Sequence, residues 1–144
     1  IGKNHKGAIL TINDRTTGIL RMAKLTGKNA QELAEKTNQL LIDIKPLIHT
    51  ITSDNGKEFV QHQQIADALG IKFYFANPYC SWERGSNENL NGLIRQYIPK
   101  KTDFNTISDD DIQFIQDELN NRPRKRHQFD TPLNKFNKQV AFVN

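Results

Sequence analysis

Two β-like runs, "GAILTIND" (7–14) and "GILRMAKL" (18–25), are separated only by the polar tripeptide "RTT". So short a link leaves an antiparallel hairpin, because a parallel return needs a crossover of about a dozen residues or more. The hairpin sets a sheet early in the chain, and the later elements have to pack on it. "NAQELAEKTNQLLIDI" (29–44) has a helical period, with Ala30, Leu33, Ala34, Thr37, Leu40, Leu41 and Ile44 on one face. Asn29 stands as its N-cap, Glu32 lies three positions on, and Pro46 is its expected stop. "LIHTIT" (47–52) predicts a short strand ending at Asp54, "HQQIADALG" (62–70) a helix closed by Gly70, and "IKFYFA" (71–76) an aromatic-rich strand. Helical period returns from Glu88 to Ile98, and Ser108 caps a further helix with Asp109, Asp110 and Asp111 in its first turn. Ile112, Ile115 and Leu119 form that helix's apolar stripe. The tail "NNRPRKRHQFDTPLNKF" is basic and proline-interrupted, and predicts a hook held down by Leu133 and Phe136. Alternation of strands and helices places the chain in the α/β class, as a mixed sheet flanked by helices.

At 144 residues the chain is long enough for one domain with a substantial core. No stretch approaches the run of about 20 apolar residues that a membrane span requires. Cys80 is the single cysteine, which excludes an intramolecular disulfide and, with no leader pattern at the start, predicts a reducing, cytoplasmic setting. His5, His49, His62 and His127 are scattered, with no zinc-ligand spacing. A net charge of +4 and a pI near 9.2 make a polyanion a reasonable partner without identifying one. The first residue is Ile1 rather than methionine, so the chain is expected to be part of a longer protein.

Two short stretches carry candidate chemistry. In "TSDNGKEF" (52–59), Asp54 ends a strand and Asn55-Gly56 turns the backbone away at once. In an open α/β sheet ligands gather at the carboxyl ends of strands, so Asp54 is placed to bind a metal. Taken alone, Asp-Asn-Gly is far more often an ordinary turn. In "SWERGSNENLNGLIRQYI" (81–98), Leu90, Leu93, Ile94, Tyr97 and Ile98 form one apolar face. Arg84, Glu88, Asn91 and Arg95, spaced four, three and four apart, form another. From spacing alone that face reads as solvated, with Glu88 in surface pairs with Arg84 and Arg95.

Together the two stretches point further. "TSDNGKEF", a strand, "NPYCSWERGSNENLNGLIRQYIPKKTDF" and "ELNNRPRKRHQFDTPLNKF" resemble the catalytic core of bacterial DDE transposases, and within these the insertion-sequence-thirty family, related in fold to retroviral integrase. The resemblance runs over nearly all 144 residues. It implies a ribonuclease-H-like fold and three acidic residues that hold two divalent ions, Mg²⁺ or Mn²⁺. Carried over residue by residue, it makes Asp54 and Glu88, with 33 residues between them, catalytic and metal-binding. The family's first aspartate falls just upstream of Ile1, so that aspartate and the first strand are expected to precede this chain. The chain alone is then expected to bind metal weakly and to have little activity. Asp14 is set aside as a substitute, because it lies at the hairpin turn, and Glu58 and Glu83 are not expected to be ligands.

The implied reaction is metal-dependent DNA cleavage and strand transfer in transposition, on double-stranded DNA at element ends and target, with a homodimer possible. Arg84, Asn91, Arg95, Lys100 and Lys101, on or just beyond the Glu88 helix, are the expected DNA contacts, joined by Arg122, Arg124 and Lys125 of the second basic cluster. Tyr79 and Trp82 either stack on a base or close the core under the active-site loop. Lys3 and His5 lie near the position of the upstream aspartate. Two alternatives stay open on sequence: a nuclease that cleaves without joining, and a non-catalytic DNA-binding or assembly module of the same fold.

Overall fold

The hairpin forms as its short link requires. β1 (Ala8–Asn13) and β2 (Leu20–Leu25) pair antiparallel, from Ala8 opposite Leu25 to Asn13 opposite Leu20. The structure is a computed structural model that describes residues 7–27, 29–53, 61–75 and 85–143, with the side chains of 85–89 and 141–143 left out of the description. Asp14 organises the hairpin turn: its carboxylate accepts from the Thr17 N–H at 3.1 Å and the Thr17 hydroxyl at 2.6 Å. Gly18, at φ 79°, supplies the left-handed residue that lets the chain return.

α1 (Ala30–Leu41) starts at Asn29, whose side chain accepts from the N–H groups of Gln31 and Glu32. Glu32 reaches away from this cap, and its carboxylate accepts from the backbone N–H and hydroxyl of Thr26 at 2.6 and 2.5 Å, tying the end of β2 to the helix. Pro46 does not end the helix directly. The chain tightens into a 3₁₀ turn (Ile42–Leu47) that contains Pro46, so β3 (Thr50–Ser53) begins later than the run from residue 47 suggests. α2 (His62–Leu69) closes at Gly70, which is left-handed at φ 65° and donates to the Ala66 carbonyl. It returns the chain to β4 (Lys72–Phe75), parallel to β3, with Thr50 opposite Lys72 and Ser53 opposite Phe75.

α3 (Gly85–Ile94) is followed by tight turns through residue 101 and a 3₁₀ turn (Phe104–Thr106). α4 (Asp109–Asn120) opens on a reciprocal capping box between Ser108 and Asp111. A last 3₁₀ turn (Lys125–His127) precedes α5 (Pro132–Val143).

Alternation along the hairpin strands divides the core into two faces. Leu20 and Met22 pack with Leu90, Ile94 and Ile98 and with Ile112, Ile115 and Leu119 of α4. On the opposite face Leu10 and Leu25 pack with Leu33 of α1. Ile12 also reaches the cluster in which Ala34 and Leu41 meet Ile65 and Leu69 of α2 under β3 and β4. The hairpin is thus sandwiched between α1 and the α3–α4 pair, with α2 continuing the α1 layer.

Three expectations change in detail. Among the described residues the strands pair as two two-stranded sheets, one antiparallel and one parallel, and Ile12 links their cores. Tyr97 is 38% exposed, because α3 ends at Ile94 and the following turns rotate it off the apolar face. The tail is a helix rather than a hook, since Pro132 occupies a first-turn position, where its missing N–H has no intrahelical role.

Candidate functional site

Parallel pairing of β3 and β4 brings their carboxyl ends side by side, and positions 54 and 76 come directly after that edge. This is the edge at which α/β sheets collect ligands. Asp54 itself, with Glu58, Tyr79, Trp82, Glu83 and Arg84, lies outside the described residues, as do Lys3 and His5. Glu88 is within α3, where the backbone alone is described. The register of that helix puts position 88 on the face of Asn91 and Arg95, away from the buried Leu90 and Ile94. On that face Asn91 is exposed and Arg95 half-buried.

Basic residues lie beyond the end of α3. Beyond Ile98, Lys100 and Lys101 are exposed, with Lys101 left-handed at φ 69°. From the second basic cluster, Arg122 Nη1 donates to the Gln96 side chain, in the turn just after α3, at 3.2 Å. Lys125 is exposed. Arg124 turns inward instead: its Nη2 donates to the Leu119 carbonyl at the end of α4 at 3.1 Å, a carbonyl that also accepts from the Arg122 N–H at 3.3 Å. Partial burial, and then the neighbouring Arg122 and Arg126, lower its pKa from the usual guanidinium value.

The loop carrying this cluster is bolted at several points. The Arg124 N–H donates to the Asp130 carbonyl at 2.9 Å, and the Phe129 N–H donates to the Arg124 carbonyl at 2.8 Å. His127 Nε2 lies 2.8 Å from the Thr17 carbonyl in the hairpin turn. Inside it, the Asp130 N–H donates to His127 O at 3.1 Å across Gln128 (φ 56°) and Phe129 (φ 67°). Two successive left-handed residues make this a type I′ turn, the geometry that favours Asn-Gly. Holding non-glycine residues there costs about 1–3 kcal/mol each. Phe129, at the apex, is 70% exposed. The sequence reading took Leu133 and Phe136 as the tail's notable apolar residues and passed over Phe129, although it comes directly after "RPRKRHQ" and before Pro132.

A second feature escaped the sequence reading. His62, at the start of α2, lies against Phe73 and Phe75 of β4, with ring centroids 5.7 and 5.2 Å away. These rings brace the parallel pair just behind its carboxyl edge. Asp14 is engaged in its own turn, through its bonds to Thr17. Among the described residues no group of three or more His, Cys, Asp or Glu side chains is placed to hold a metal. No described helix is long and apolar enough to cross a membrane.

No protein-family profile matches the chain. It is 59% identical, over all 144 of its residues, to the transposase for insertion sequence element IS4351 of Bacteroides fragilis. It is 36% identical over 136 residues to transposase InsI for insertion sequence element IS30A of Escherichia coli K12. The chain spans less than half of each relative, 44% and 36% of their lengths. Its fold is similar to the crystal structure of the catalytic core domain of BIV integrase, with a TM-score of 0.71 at 16% identity, covering 99% of this chain and 93% of that one. Its homologues are therefore transposases of insertion sequence elements, and its fold is that of an integrase catalytic core.

Proposed function

We propose that the chain is the catalytic core of a transposase that cleaves DNA and joins its ends to a target, a polynucleotidyl transfer that requires Mg²⁺ or Mn²⁺. The observation that carries this reading is the coincidence of transposase sequence and integrase-core fold over the whole chain. Asp54 and Glu88 are the metal ligands. The donor chemistry fits: carboxylate oxygens are hard ligands suited to a cation that keeps several waters, and Asn91, on the face of α3 that carries position 88, is exposed. Bound there, the ions would neutralise the attacking and leaving oxygens of a phosphodiester displacement.

The rest of the work falls to the chain's own side chains. Asn91 and Arg95, on the face that carries position 88, orient the phosphate at the reacting centre, and Arg84 is a further phosphate contact. Lys100, Lys101, Arg122 and Lys125 hold the flanking backbone of double-stranded DNA, and Arg124 adds its charge while bracing the loop. No side-chain nucleophile is needed, because the attacking group is water or a DNA 3′-hydroxyl. Two element ends have to meet for joining, which favours action as a homodimer.

The test is a crystal of the chain soaked in Mn²⁺. A shared anomalous peak within about 2.0–2.4 Å of the Asp54 and Glu88 carboxylates is expected. Carboxylates that point apart in an ordered crystal would overturn the assignment.

A further inference from the structure

The metal site and the phosphate contacts leave Phe129 unused. It stands 70% exposed at the apex of the type I′ turn, in a backbone conformation that strains a phenylalanine. The turn is over-determined by the Arg124–Asp130 and Phe129–Arg124 backbone bonds and by the His127 contact to the hairpin. The ring is therefore held out rather than left loose. Its neighbours along the chain are cationic: Arg122, Lys125 and Arg126 are exposed. The nearest carboxylate, Asp130, is turned toward Thr131, Asn134 and Lys138. An apolar ring fixed outward in a cationic stretch suits a polyanion that offers aromatic faces between its charges. Base pairs between phosphates meet that description, and wedge residues of this type part base steps in bent duplexes.

We infer that Phe129 is a stacking wedge, inserted against a base step of the double-stranded DNA whose phosphates the neighbouring cations hold. This rests on the proposed action on DNA and names a further contact for it. The wedge also accounts for the strain: an Asn-Gly turn would be easier to form, but would present no ring.

The test uses the chain with short mixed-sequence duplexes, fluorescein-labelled for anisotropy and carrying 2-aminopurine at successive positions. The wild-type chain is expected to bind and to change the 2-aminopurine emission at one step. Phe129→Ala is expected to abolish that change and to weaken binding about ten-fold or more, with its salt dependence unaltered because no phosphate contact is lost. Phe129→Trp is expected to keep both signals, and both variants should melt with the wild type, since an exposed ring adds little to stability. Wild-type emission and affinity in Phe129→Ala would overturn the wedge. So would a Phe129→Ala effect confined to self-association in sedimentation, which would make Phe129 a protein contact while the action on DNA stands. If the wild-type chain binds no duplex even at low salt, the proposed action on DNA falls, and the wedge with it.

Discussion

Asp130 shows how one residue of the tail is spent on structure rather than on charge. Its carboxylate accepts from the Thr131 N–H at 2.8 Å, the Asn134 amide at 2.9 Å and Lys138 Nζ at 3.3 Å. These donors, the Asn134 amide foremost, pull its pKa from 3.8 down to about 2. A carboxyl depressed on folding contributes stability that is fully present above its unfolded pKa and lost as pH falls through the folded one. The loss should therefore fall between about pH 4 and pH 2. Carboxyl-carbon NMR should give Asp130 a midpoint near 2, and Asp130→Asn should remove that part of the acid dependence of unfolding. In sequence, Asp130 is one acid behind a basic run, and nothing local says that it faces forward into α5. Arg124 is similar: it counts as a free cation in "RPRKR", yet its guanidinium serves the last turn of α4.

At the scale of elements, α4 does two jobs. Ile112, Ile115 and Leu119 fill the core, and the adjacent stripe covers the outer edge of β2. Gln116 Oε1 accepts from the Met22 N–H at 2.8 Å. The Asn120 side chain takes the Leu20 N–H at 2.7 Å and donates to the Leu20 carbonyl at 2.9 Å, imitating a neighbouring strand. An i, i+4 pair on a helix thereby matches an i, i+2 pair on a strand, because the two rises are nearly equal. Asn120→Ala would leave two buried backbone groups without partners, at about 1–3 kcal/mol each. Urea unfolding should register a loss of about 2–4 kcal/mol, more than most single substitutions cause. The helix itself was legible, down to Ser108 as its cap and its apolar stripe. The strand-mimicking role of Asn120 was not, because helical period records which face is apolar and is silent about a polar partner far away in sequence.

Over the whole molecule, the sequence reading of the hairpin, α1, α2 and α4 holds, since each depends on a local signal: a short link, a cap, a left-handed glycine or an apolar period. It slips where the backbone changes its winding, at the 3₁₀ turn around Pro46 and after Ile94, because apolar spacing does not reveal a change of pitch. At the candidate site, Asn91 and Arg95 share the face of position 88 as their spacing requires, whereas the meeting of Arg122 with Gln96 depends on packing. That meeting brings Arg122 to the turn just after α3, and the basic residues there have a measurable consequence under the proposed action on DNA. Duplex affinity should fall linearly on a log–log plot against salt, and Lys100→Ala, Lys101→Ala, Arg122→Ala or Lys125→Ala should each reduce the slope by about 0.9. Anisotropy titrations over a salt series would show the change, with the weakening uniform across sequences. The Leu20–Asn120 bonds also join residues 100 apart in the chain, and His127 reaches back 110 to Thr17. During synthesis at ~5–20 residues per second, the hairpin therefore emerges with its outer edge bare for about 5–20 s before α4 exists to cover it. A ribosome that stalls before Asn120 would hold out an uncapped strand, open to pairing with any other nascent copy nearby.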